Sequence, residues 1–130
     1  MWNVVQYQDS EGITPVQGEL VLIYRKHGKG EAKQIRARLK VVIKNHVRAQ
    51  NGVLQPRDSA FHRVEEFWQI RSNYVRILLC YSSTVPETLV MLHAFEKRVQ
   101  ETPPSAIATA RKVHEEYQQR QTTGEFEYDD

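Results

Sequence analysis

At 130 residues, with 40% hydrophobic and 26% charged residues, the chain has the make-up of one folded domain with a modest core. No apolar run is long enough to span a bilayer, and the first segment, MWNVVQYQDSEG, lacks the charged and apolar regions of a secretory leader. The single cysteine, Cys80, makes no internal disulfide, which points to a reducing, cytoplasmic setting, and its place in an apolar run marks it as a small buried hydrophobe.

Trp2 to Tyr7 is rich in strand formers and closes at Gly12. Thr14-Pro15 then has the form of an N-cap followed by proline at the first helical position. Val16, Leu20, Ile23, Tyr24 and His27 recur at helical spacing, Gly28-Lys29-Gly30 breaks the pattern, and a second stripe runs from Glu31 through Ile35, Leu39, Val42, Ile43 and His46. The short break predicts an antiparallel helix pair. That pair is strongly basic. Arg25, Lys26, Lys29, Lys33, Arg36, Arg38, Lys40, Lys44 and Arg48 face only Glu19 and Glu31, about +7 in a chain whose net charge is +2. Such a segment suits a polyanion, although solvated lysine-rich helix faces produce the same composition.

Asn51-Gly52 and Pro56 mark a loop. Three strands follow as an antiparallel meander. The first runs from Val64 to Arg71, with Val64, Trp68 and Ile70 on one face and Phe67, Gln69 and Arg71 on the other. After a turn at Ser72-Asn73, the second runs from Tyr74 to Tyr81. After a turn around Pro86, the third spans Thr88 to Glu96. Thr102-Pro103-Pro104 opens a last helix, capped by Thr102 or Ser105, whose inner stripe is Ile107, Ala110, Val113, His114 and Tyr117. Residues 118–130 read as a polar, acidic, frayed tail outside a single domain of residues 1–117. The expected fold is α+β: an N-terminal strand and a helix pair packed on the meander, with a C-terminal helix. The chain has no internal repeat, no glycine-rich phosphate loop and no zinc-ligand spacing.

Two features of the meander carry chemistry. Arg76 interrupts an apolar strand, where a charge costs free energy unless one sheet face is open to an anion or a carboxylate such as Glu65, Glu66 or Glu96 pairs with it. Lys97-Arg98 stands where the last strand ends.

The run WQIR, a turn, VRILLCY, and then LVMLHAFEKRVQETPP resembles the RelE/HigB superfamily of bacterial toxins, in its phage-associated HigB-like branch. In that branch the last strand ends in a similar Leu-His-(small)-Phe sequence and two basic residues, before a Thr-Pro that opens the final helix. The resemblance covers about Glu65 to Tyr117, less than half of the chain. It implies a RelE-like fold and a metal-independent, cofactor-free mRNA endoribonuclease acting on the ribosome. In such an enzyme the RNA's own 2′-hydroxyl attacks the adjacent phosphate. It also implies a cognate antitoxin of helix-turn-helix type, a cytoplasmic location and a prophage origin, with no membrane partner.

Carried onto this sequence, the resemblance makes Arg71, Arg76 and Arg98 phosphate-polarising residues, since a planar guanidinium matches phosphate oxygens. Lys97 joins them as an RNA contact. Independently of the resemblance, Phe67 shares strand parity with Gln69 and Arg71 and is the base-stacking candidate, with Gln69 beside it as an RNA contact. The chain departs from the family in two places. Phe67 and Gln69 stand where many relatives have lysines, and Pro103-Pro104 where many have a tyrosine or histidine that moves protons. His93 shares strand parity with Phe95 and Lys97 and is the remaining acid–base candidate. Trp68 shares its face with Val64 and Ile70 and is expected in the core.

Overall fold

The computed structural model of the chain describes residues 1–97 and 101–127. Among them the elements run β1 (Asn3–Tyr7), α1 (Pro15–Lys26), α2 (Lys29–Val42), β2 (Phe61–Val64), β3 (Phe67–Ser72), β4 (Val75–Tyr81), β5 (Thr88–Glu96), α3 (Pro104–Arg120) and β6 (Thr123–Glu125). The strands form one mixed sheet in the order β2-β3-β4-β5-β1-β6. Pairing is antiparallel throughout except between β1 and β5, which run parallel from Asn3↔Thr88 to Gln6↔Met91. The α+β class is as expected. No helix among the described residues is long and apolar enough to cross a membrane.

The strand pleat assigns the core. Val4, Trp68, Ile70, Ile77, Leu79 and Met91 point to one face, where Val16, Leu20 and Ile23 of α1 and Ile35 and Leu39 of α2 cover them. Phe67, Leu78, Cys80, Val90 and Leu92 point to the other face, under Ile107, Ala110 and Tyr117 of α3. The sheet is therefore sandwiched between a helix pair and a single helix. This explains why β4 is buried along nearly its whole length instead of alternating with solvent. Burial also pushes the Cys80 thiol up to about 12, so it is chemically quiet.

The helix starts follow the sequence signals only in part. Thr14 holds the extended N-cap position of α1 with Pro15 next, but its side chain makes no cap hydrogen bond. Gly28 caps α2, which starts at Lys29 rather than Glu31. α2 widens into a π-helical turn at Ile43–Arg48, which keeps Ile43 and Val47 both buried. Pro103, not Thr102 or Ser105, is the N-cap of α3.

Three expectations are corrected. The three-stranded meander with a separate N-terminal strand is instead part of a six-stranded sheet, because β1 pairs alongside β5. The strand expected from Val64 to Arg71 starts instead at Phe67 as β3, and Val64 ends a separate strand, β2, that folds back on it with Val64 opposite Phe67. Glu65 makes that reversal in the left-handed region (φ 52), and the Arg111 guanidinium grips the Glu66 carboxylate at 2.7 and 2.8 Å. This contact holds the Glu66 carboxyl down to about 2. Finally, residues 118–127 are not a frayed tail. α3 continues to Arg120, Gln121 turns the chain in the left-handed region (φ 56), β6 pairs with β1, and Phe126 is buried on the α1 side of the sheet.

Candidate functional site

Strand register gathers the polar residues of the meander on the α3 side of the sheet. His62, Gln69, Leu78 and His93 lie in one cross-strand row, from β2 to β5. One step along the strands, Arg71, Arg76 and Phe95 form the next row. Leu78 and Phe67, with the parity of these rows, belong to the core under α3, which fixes the face. The Thr102 hydroxyl, just before α3, donates to Gln69 Oε1 at 2.7 Å, so the arginine row lies beyond the N-terminal end of that helix.

Arg71 and Arg76 stand directly opposite each other on adjacent strands. Like charges in that relation repel. The two differ in exposure. Arg71 is half-buried and lines an open cleft of about 350 Å³ with Ser59, Ala60, Asn73 and Tyr74. Arg76 is 1% exposed, and its Nη1 donates to the carbonyls of Asn73 (2.6 Å) and Val75 (3.3 Å). Burial, and then the Arg71 charge, push Arg76 down to about 10, which still leaves it a cation at neutral pH. Two of the carboxylates considered as partners are engaged elsewhere, Glu66 by Arg111 and Glu96 by Lys26 (2.9 Å) and His27 (2.5 Å). Those two contacts, the lysine first, hold the Glu96 carboxyl below its usual range.

His93 has a partner that the sequence reading did not name. Its Nδ1 lies 2.6 Å from Glu19 Oε2 of α1, and the Ala94 N–H donates to Glu19 Oε1 at 2.9 Å. The reason is local: β1 pairs with β5 only as far as Met91, so a side chain from α1 takes up the strand's next free edge. The His93 ring stacks on Phe95, with centroids 5.3 Å apart and planes at 19°. The signal for Glu19 was present in the composition. Of the two acids set among nine bases, Glu19 reaches His93 and Glu31 reaches His27 at 3.2 Å.

The remaining candidates separate clearly. Phe67 is fully buried and meets His114 edge-on at 5.8 Å, so it is a core residue and not a stacking platform. Trp68 is core as expected, its indole N–H donating to the Tyr81 hydroxyl at 2.9 Å. Gln69 is also buried, and it serves as a relay: its Oε1 accepts from Thr102 while its Nε2 lies 3.4 Å from His62 Nε2. Lys97 is half-buried just past β5, and its backbone N–H donates to the Tyr74 carbonyl at 2.7 Å. Arg98 lies outside the described residues. His62, and Thr102, which was expected only as a helix cap, complete the polar row through Gln69. Among the described residues no group of three or more His, Cys, Asp or Glu side chains is placed to hold a metal ion.

Burial first, and then the Arg71 and Arg76 charges, hold His62 below the ordinary histidine value of 6.5. The folded protein therefore refuses a proton that the unfolded chain accepts. Stability is complete above the unfolded value and falls as the pH drops below about 6.5, until the folded value is passed. Urea unfolding between about pH 7.5 and 5 is expected to show this loss, and His62→Gln to flatten it. An identical slope in the variant excludes His62 as its source.

Set beside known proteins, the chain matches no protein-family model and no curated protein sequence.

Proposed function

We propose that the chain is a toxin-type endoribonuclease that holds the RNA backbone on the α3 side of its sheet, at the end of the β3–β4 hairpin. The observation that carries this reading is the placement of Arg71 and Arg76 in directly opposed strand positions, beside a cleft that only Arg71 among them lines. Arg71, the member of the pair that lines the open cleft, can take an anion there, and a phosphodiester supplies one. In this reading Arg71 binds a non-bridging phosphate oxygen and stabilises the charge that grows there in the transition state. Arg76, held by the turn carbonyls, keeps the hairpin end in place and adds field from behind. His93 removes the 2′-hydroxyl proton. The O2′–P bond forms, the P–O5′ bond breaks, and a proton returns to the leaving 5′-oxygen.

The partners that fit are a message on the ribosome, contacted also by the basic faces of α1 and α2, and a helix-turn-helix antitoxin that covers the cationic surface; the setting is the cytoplasm. A second reading, an RNA- or protein-binding module without catalysis, draws support from the burial of Arg76 and its bonds to Asn73 and Val75, which suit a structural arginine. Induction of the wild type and of Arg71→Ala in a bacterial host, with message ends mapped by primer extension, separates the two. Growth arrest with new message ends in the wild type alone supports the nuclease. A wild type that neither arrests growth nor cuts messages leaves the binding module.

A further inference from the structure

Glu19 joins two groups through one carboxylate. Oε1 accepts the Ala94 N–H at 2.9 Å, and Oε2 faces His93 Nδ1 at 2.6 Å. Because the main-chain donor fixes one oxygen, the carboxylate cannot rotate to serve the ring differently. A carboxylate only accepts hydrogen bonds, so a neutral His93 has to carry its proton on Nδ1. Its Nε2 is then bare. The ring is flattened against Phe95, which lies directly across from Arg76, so His93 is the diagonal neighbour of the arginine row. Both members of the pair are largely withdrawn from water, with side-chain exposures of 13% for His93 and 28% for Glu19.

We infer that Glu19 is a positioning residue that locks His93 in the Nδ1–H tautomer and presents an unprotonated Nε2 to the RNA 2′-hydroxyl. The inference rests on the nuclease reading for its use, but its geometry is testable without RNA. The decisive variant is Glu19→Gln, which has nearly the same shape. In it the Ala94 N–H still demands an oxygen, so the amide NH₂ is left facing His93. Nδ1 must become the acceptor and the proton moves to Nε2. The tether between α1 and β5 survives with both hydrogen bonds, while the base is blocked. A merely structural Glu19 therefore predicts no change in activity on this substitution, and a positioning Glu19 predicts a large one.

Long-range ¹H–¹⁵N spectra of the imidazoles, taken at alkaline pH and assigned with His93→Gln, read the tautomer directly. The wild type is expected to show Nδ1–H at His93, and Glu19→Gln to show Nε2–H with an unchanged melting temperature. Cleavage of a message on ribosomes by Glu19→Gln is expected to fall about 100-fold or more, the usual range for a lost general base. An Nε2–H tautomer in the wild type overturns the inference, as does a Glu19→Gln enzyme that cleaves at the wild-type rate. A tautomer switch in a protein whose wild type cuts no RNA overturns the nuclease reading and the catalytic use of the pair, while supporting the tautomer lock itself.

Discussion

Arg71→Ala is expected to lower RNA cleavage about 100-fold to 1000-fold, the range found when one preorganised donor to a developing oxyanion is removed. Its stability should stay within about 0.5 kcal/mol of wild type, because the side chain is half-buried at a strand end beside an open cleft. Arg76→Ala should behave in the opposite way. Its guanidinium is buried and donates to two turn carbonyls, so truncation leaves a cavity and strands those acceptors. A loss on the order of 3 kcal/mol follows, partly offset by relief of the repulsion with Arg71. Urea unfolding and a cleavage assay on both variants make the comparison. An Arg71→Ala enzyme with full activity removes Arg71 from the site. An Arg76→Ala protein as stable as wild type removes the structural role of Arg76.

Phe126→Ala is expected to destabilise the protein by about 3 kcal/mol, at the lower end of the range for aromatic truncation in a core. Phe126 is 7% exposed and packs in the cluster shared by the sheet and the helix pair. It also holds β6 in place next to β1, where the Gln6 side-chain amide donates to the Glu125 carbonyl at 2.8 Å. Thermal melts of the variant measure the effect. A silent Phe126→Ala would return residues 121–127 to the status of a polar tail.

Periodicity revealed the parts of this fold that are specified locally. The stripes of α1 and α2, the Thr14-Pro15 start and the alternation of β4 were legible because each depends on neighbours within a few residues. The β2–β3 reversal was not. Glu65-Glu66 contains no glycine, proline or asparagine, and the turn is secured by Arg111, which lies 45 residues away. β6 was hidden for a similar reason: Thr123–Glu125 has no apolar alternation, and its partner strand is at the other end of the chain.

The candidate site divides along the same line. Strand parity placed Gln69, Arg71 and Phe67 on one face, and the structure has them there. Whether a residue on that face meets solvent depends on α3, which covers Phe67 and stops short of Arg71. Parity says nothing about that boundary. The Glu19 contact to His93 spans 74 residues, yet a lone acid on a basic helix marked the position that needed a partner.

The position of β1 has a consequence for synthesis. It lies between β5 and β6, and Gln6 reaches Glu125 across a separation of 119 residues. Pairing over such distances in sequence slows folding. On the ribosome the first strand waits for β5 before it has any neighbour, and its outer edge stays open until Thr123–Glu125 has emerged. A nascent chain paused before that point presents an unpaired strand edge, the surface most prone to joining another chain. Closure of this sheet thus waits for β6, which is translated after every other described strand.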